Sequence, residues 1–225
     1  SKSWTWTVEN ALRVRFVRVR DDGTGGSGTR PSSTQCRFTI QRAFDLLASP
    51  PTDIAAAWQP TVNTSRDLST LDGLSDFLSD LDDDHNCSGW EWLWDWTGAT
   101  DCPDDDNAIW VGMTLPFNRG IGYRPGNTCI SAIYRDANGQ GNMLRIKTAH
   151  EIGHNLSFRH VNRACSGGST VGGPFYSHPN SGNLQDVPFD PYWNQAISGS
   201  VQDFMSYGCT RWTSGDSWTR LQGQI

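Results

Sequence analysis

Lysine is almost missing from this chain: Lys2 and Lys147 are its only two, and arginine carries nearly all of the positive charge. Acidic residues outnumber basic ones by 24 to 18, a net charge of −6, which excludes a broad cationic footprint for nucleic acid or an anionic membrane. No apolar run approaches the roughly 18 residues that a membrane span requires. There is no Cys-x-x-Cys pair, which argues against a zinc ribbon or a dithiol redox site. No internal repeat is apparent, and no charged-then-apolar leader precedes the first element. Ser1 therefore reads as the start of a processed or trimmed chain, with any signal or pro-segment absent from it.

What is present fits one domain. At 225 residues the chain is long enough to bury a core and form a cleft. Six cysteines, Cys36, Cys87, Cys102, Cys129, Cys165 and Cys209, form an even set. Three disulfides in an oxidising compartment are the simplest expectation, and hence a secreted protein; a monomer is expected. Cys87–Cys102 and Cys165–Cys209 are short-range pairs, and Cys36–Cys129 follows by elimination.

Leu12 to Arg20 alternates apolar and Arg residues at the period of a strand, and the phase slips at Phe16-Val17, where a bulge is expected. Residues 21 to 33 are rich in Gly, Ser and Asp and read as a loop. Ile40, Ala43, Phe44 and Leu47 recur at helical spacing within 35 to 48, and Leu71, Leu74, Leu78 and Leu81 do so in a second helix entered near Ser69 or Thr70. Ile109 to Met113 and Ile130 to Tyr134 suit buried strands. This interleaving predicts an α/β (α+β) arrangement around a mixed sheet. Residues 161 to 200 change character, being rich in Gly, Ser, Pro and Asn. The aromatics Phe175, Tyr176, Phe189, Tyr192 and Trp193 there predict a packed but irregular subdomain.

Two features invite a functional reading and have a simpler one. Trp90, Trp92, Trp94 and Trp96 would share one face of a strand, as a sugar or peptide platform or, preferably, as core. Asp82, Asp83, Asp84 and His85, with Asp101, Asp104, Asp105 and Asp106, offer oxygen ligands for a structural Ca2+ but lack the spacing of a calcium loop. A solvated acidic loop pinned by a Cys87–Cys102 bridge is the preferred reading.

The decisive segment is His150-Glu151-Ile152-Gly153-His154-Asn155-Leu156-Ser157-Phe158-Arg159-His160. On a helix His150 and His154 lie one turn apart and point the same way, as two ligands of one tetrahedral zinc require. Glu151 stands beside them as a base that does not ligate. A third ligand is needed, and His160 is six residues on, where a continuing helix would have rotated by about 600°. The chain must therefore break between His154 and His160, and Ser157 sits where the break is needed.

With Asp203-Phe204-Met205-Ser206-Tyr207-Gly208 downstream, the pattern resembles the metzincin clan of zinc peptidases, whose motif is HExxHxxGxxH followed by a Met-turn. Ser157 stands at the clan's Gly position. The resemblance implies one catalytic Zn2+ on His150, His154 and His160, Glu151 as catalytic base, and Met205 as a floor beneath the metal. Tyr207 matches a tyrosine that astacin-, serralysin- and pappalysin-like members place near the zinc, where it can ligate at rest and stabilise the transition state. Residues 119 to 129 are similar to the adamalysin/reprolysin edge strand, so Gly120, Ile121, Gly122 and Tyr123 are expected to receive substrate as an added antiparallel strand. The implied fold is a metzincin-like catalytic domain with a twisted mixed sheet. Residues 1–160 would form a larger N-terminal subdomain carrying the active-site helix. Residues 161–225 would form an irregular C-terminal one with the Met-turn and a C-terminal helix, the cleft lying between them.

The expected activity is endopeptidase hydrolysis of extended protein or peptide substrates by Glu-assisted attack of zinc-bound water. Residues 161 to 200 would wall the pocket past the scissile bond. The rivals are a binding module on a scaffold that has lost catalysis, and a zinc hydrolase of glycosylated substrates using the Trp-rich strand.

Overall fold

The computed structural model describes residues 12–22, 28, 30–47, 53–86, 108–115, 120–133, 141–162, 175–179, 182–184, 187–190, 194–197, 201–207 and 211–223, with backbone alone for 53, 55–60, 86 and 141–145. The Trp90 to Trp96 strand, Asp101 to Asp106, and Cys87, Cys102, Cys165 and Cys209 lie outside the described residues.

The centre is a five-stranded mixed sheet. Strand β1 (Arg13–Asp21) lies between β2 (Asp53–Thr64) and β3 (Ile109–Thr114), parallel to both. Strand β5 (Thr128–Ala132) extends the sheet in parallel, and β4 (Ile121–Gly122) closes that edge antiparallel. The order is thus β2-β1-β3-β5-β4. A register shift falls at Phe16 to Arg18, where the bulge was expected. The surplus residues are in β2, since the pairing jumps from Phe16 with Ala56 to Arg18 with Thr61 while β1 runs unbroken along β3. The apolar doublet has another cause: Phe16 belongs to one core and Val17 to the other, on opposite faces. A parallel strand covered on both faces carries apolar residues at both phases.

Helix α1 (Ser33–Leu47) packs against β1 and β2. It opens on a reciprocal cap: the Gln35 N–H donates to the Ser32 hydroxyl at 3.2 Å, and the Ser32 N–H donates to Gln35 Oε1 at 2.9 Å. Ser-x-x-Gln is a helix-start signal, so the helix begins two residues before the expected Gln35. Its stripe of Cys36, Ile40, Ala43, Phe44 and Leu47 is buried. Helix α2 (Leu71–Asn86) covers the opposite face with Leu74, Phe77, Leu78 and Leu81. Thr70 caps it, its hydroxyl accepting the Gly73 N–H at 3.1 Å. Leu71, expected in the core, is 58% exposed; as the first helical residue it precedes the turn that meets the sheet.

Helix α3 (Gly141–Asn155) lies on the α1 side and packs on α1, β4 and β5. The rest of the chain is irregular, with short pairs β6 (Phe189–Asp190) with β7 (Gln195–Ala196) and β8 (Gln202–Asp203) with β9 (Arg211–Trp212), then α4 (Gly215–Gln222). Tyr176 packs against the main core, but Phe189 is exposed. On β6 the inward position belongs to Asp190, whose carboxylate takes the buried Arg42 guanidinium of α1 at 2.9 and 3.2 Å. No helix among the described residues is long and apolar enough to cross a membrane.

One strand was not foreseen, and two further expectations change. Strand β2 had no signal of alternation, because Ala-Ala-Ala-Trp-Gln-Pro carries no period-two pattern. The strand expected at Ile130 to Tyr134 starts two residues earlier, at the polar but buried Thr128. Cys36 and Cys129 do not form a bridge: both are free, buried thiols. Cys36 sits on α1, over β1 and β2, while Cys129 sits on β5, beyond the intervening β3. At most two disulfides within the chain can then involve the remaining four cysteines.

Candidate metal centre

Residues 141 to 155 place His150, Glu151 and His154 on α3, the two histidines one turn apart. The helix then ends as the motif requires. The Phe158 N–H donates to the Gly153 carbonyl at 2.9 Å and the Ser157 N–H to the His154 carbonyl at 2.9 Å, the paired bonds of a Schellman stop. Its left-handed residue is Ser157, at φ 68°, where glycine is usual and an L-residue costs about 1–2 kcal/mol. The reversal carries His160 back over the helix. It is held there because the Val161 N–H donates to the Met205 carbonyl at 3.1 Å and the Tyr176 N–H to the His160 carbonyl at 2.8 Å.

The three imidazoles converge. His154 Nε2 is 2.9 Å and His150 Nε2 is 3.1 Å from His160 Nε2. The Nδ1 of His150 faces the Phe204 carbonyl at 3.0 Å and that of His154 the Phe158 carbonyl at 2.9 Å. A carbonyl oxygen only accepts, so those Nδ1 atoms carry the protons and their Nε2 atoms present bare lone pairs. One proton on His160 Nε2 cannot satisfy both neighbours. Burial pushes all three histidines toward the neutral form, His160 to about 4 with the adjacent His154 adding to the effect. A neutral, three-nitrogen cluster of this kind suits a cation, and nitrogens bound at about 2.0–2.1 Å to one tetrahedral zinc stand only slightly farther apart. Among the described residues this is the one group of His, Cys, Asp and Glu side chains able to hold a metal.

Glu151 is buried beneath the edge strand. A Cβ on residue 120 would stand 2.7 Å from Glu151 Oε1, and one on residue 122 would stand 3.0 Å from the Glu151 carbonyl oxygen. Glycine at both positions lets the strand close on the helix. Burial raises the Glu151 carboxyl to about 8, and Lys147 and Arg211 oppose the rise. Burial likewise lowers Lys147 to about 8 and Arg211 to about 10. Tyr207 completes the cluster, with its hydroxyl 3.1 Å from His160 Nε2. Its pKa is raised by burial first and by Glu151 second.

Met205 is fully buried against α3, with its sulfur facing Gly153. The turn that carries it hangs on Asp203, a carboxylate that sequence reasoning gave no role. Its Oδ1 accepts the Met205 N–H at 2.9 Å, and its Oδ2 accepts the Ser214 hydroxyl at 2.5 Å. Ser214 Oγ also accepts the Ser217 N–H to cap α4 and lies 3.0 Å from His178 Nε2. The Arg211 guanidinium donates to the Ser206 carbonyl at 2.7 Å. These supports come from 23 to 62 residues beyond the end of the helix, from His178 to Ser217, and no local spacing announces them.

Ile121 and Gly122 form the edge strand at the expected place, while Gly120 and Tyr123 flank it. A cavity of about 430 Å³, lined by Asp82, Tyr123, Pro125, Gly126 and Asn127, opens past its end. Asp82 accepts the Thr128 hydroxyl at 2.6 Å, so this member of the acidic cluster fastens α2 to β5. His85 Nε2 lies 3.3 Å from the Ala108 carbonyl and its ring meets Trp110 edge-on. Compared with known protein families and with curated proteins, the chain matches none.

Proposed function

We propose that the chain is a zinc-dependent endopeptidase of metzincin type, acting on extended polypeptides outside the cell. The observation that carries the reading is the convergence of the His150, His154 and His160 Nε2 atoms, with Glu151 on the same helix and the Tyr207 hydroxyl alongside. Zinc bound by these histidines supplies Lewis acidity and makes a water acidic enough to serve as nucleophile near neutral pH.

The remaining chemistry belongs to the protein. Glu151, kept from bulk water by the strand above it, takes the proton of the attacking water and returns it to the leaving amine. The Tyr207 hydroxyl donates to the oxygen that gains charge as the carbonyl is attacked. A peptide laid along the free edge of β4 is held mainly by backbone hydrogen bonds, which favours an extended chain of varied sequence. With Cys36 and Cys129 as thiols, four cysteines remain for two bridges, and an extracellular setting stays part of the reading.

The test is digestion of an unfolded protein such as casein by the zinc-loaded chain, with and without a chelator, alongside Glu151→Ala. Wild type should cleave, the chelator should stop it, and E151A should keep its zinc while losing activity. Failure of the zinc-loaded wild type to cleave, or full activity in E151A, would overturn the proposal.

A further inference from the structure

Asn155 directly follows the ligand His154 and ends α3, yet it takes no part in the triad. It is buried, at 6% exposure. Its Nδ2 donates to the Tyr123 carbonyl at 3.1 Å and to the Thr128 carbonyl at 2.8 Å. Those two residues bracket the turn that joins β4 to β5. Within that turn the Gly126 N–H points back to the Asn155 carbonyl, at 3.4 Å. One side chain thus spans the turn from beneath, and its own backbone meets the middle.

The choice of an amide has a physical reason. A primary amide offers two N–H donors on one nitrogen without carrying charge, which a buried site facing two carbonyl oxygens needs. The other end of the side chain is left unsatisfied, since Asn155 Oδ1 is buried with no partner. The residue is therefore held for its donors. Gly122 lies against the Glu151 carbonyl on the same helix, so the edge strand has one support at each end: Glu151 under β4 and Asn155 under the turn.

We propose that Asn155 is a positioning residue, which ties the β4–β5 turn to the ligand helix and sets the place of the β4 edge relative to the three histidines. This rests on the peptidase reading above. The role is to register an extended substrate over the metal, and neither to bind the metal nor to touch the scissile bond. Removing the two donors should loosen the turn and weaken the hold on long substrates, while leaving the zinc site intact.

The experiment compares zinc-loaded wild type with Asn155→Ala on two peptides that share a scissile bond. One extends several residues along the strand, and the other carries only the residues flanking the bond. For the long peptide N155A should raise KM about tenfold with kcat nearly unchanged. For the short peptide kcat/KM should stay within about threefold. Zinc stoichiometry should be unchanged, and amide exchange at 123 to 128 should accelerate. Asn155→Leu, which keeps the volume and lacks the donors, should behave like N155A and serves if N155A does not fold. An unchanged KM for the long peptide, or equal losses on both peptides together with zinc loss, would overturn the positioning role while peptide hydrolysis by the wild type still stands. A wild type that cleaves neither peptide would overturn the peptidase reading, and this role with it.

Discussion

Gly153 and Met205 meet where helix α3 has no side chain: a Cβ on residue 153 would stand 2.6 Å from the Met205 sulfur and 2.9 Å from the Phe204 ring. The turn around Met205 is therefore pressed against the helix between His150 and His154, and Phe204 adds its carbonyl as the partner of His150 Nδ1. Turn and helix form one packed unit, although some 50 residues separate them in the chain.

Gly153→Ala should destabilise the fold by about 1–3 kcal/mol, the usual cost of overpacking a tight contact, and weaken zinc binding through displacement of His150. Thermal unfolding and zinc titration check this. Because the clash is with Met205, adding Met205→Ala should recover part of the loss. Additive losses in the double variant would contradict the contact.

Ser157→Gly should raise stability modestly, by about 1 kcal/mol or less, since it relieves the left-handed backbone at the expense of greater freedom in the unfolded chain. Ser157 is exposed, so no packing is lost. Urea unfolding of the two proteins gives the sign, and a lower midpoint for S157G would contradict it. Zinc content should not change.

Tyr207→Phe should lower kcat by about ten- to a hundredfold, because one donor to the developing oxyanion is removed. KM and zinc content should hold. The tyrosine is 46% exposed, so stability should change little. A variant with undiminished kcat would confine Tyr207 to a structural role.

The thiols of Cys36 and Cys129 give a pH signature. Burial pushes Cys36 from 9.0 up to about 12 and raises Cys129 well above its ordinary value. A raised folded-state pKa means that the unfolded chain loses its thiol protons first. These two groups therefore leave stability intact below about pH 9 and erode it as pH climbs toward about 12. Iodoacetamide at pH 8 should leave both unmodified in the native protein and label both in denaturant, as peptide mass spectrometry would show. Labelling of either under native conditions would contradict the burial.

Much of the site was legible in the sequence because its parts are local. His150, Glu151 and His154 need only a helix, and the need for a break before His160 pointed to Ser157 from geometry alone. The central β1 was legible for the same reason, whereas the edge strand at Ile121 and Gly122 was expected only from a resemblance of residues 119 to 129 and not from any local periodicity. What stayed hidden depends on distant partners. Asp203 is an unremarkable acid until Ser214 and His178 are brought to it, and Asn155 gains a role only when the β4–β5 turn lies over the helix end. Strand β2 lacked alternation, and Cys36 and Cys129 were paired by elimination, a procedure blind to the β3 strand between them.

The brevity of β4 has a consequence for solubility. An open sheet edge is a template on which another copy of the chain can add, the usual route to sheet-to-sheet association. Here only two residues pair at that edge, and the chain then passes into Arg124 and Pro125, a charge and a residue with no N–H to offer. Among the described residues this edge is too short and too interrupted to recruit a second sheet. A longer, more regular β4 would invite the protein to associate with itself.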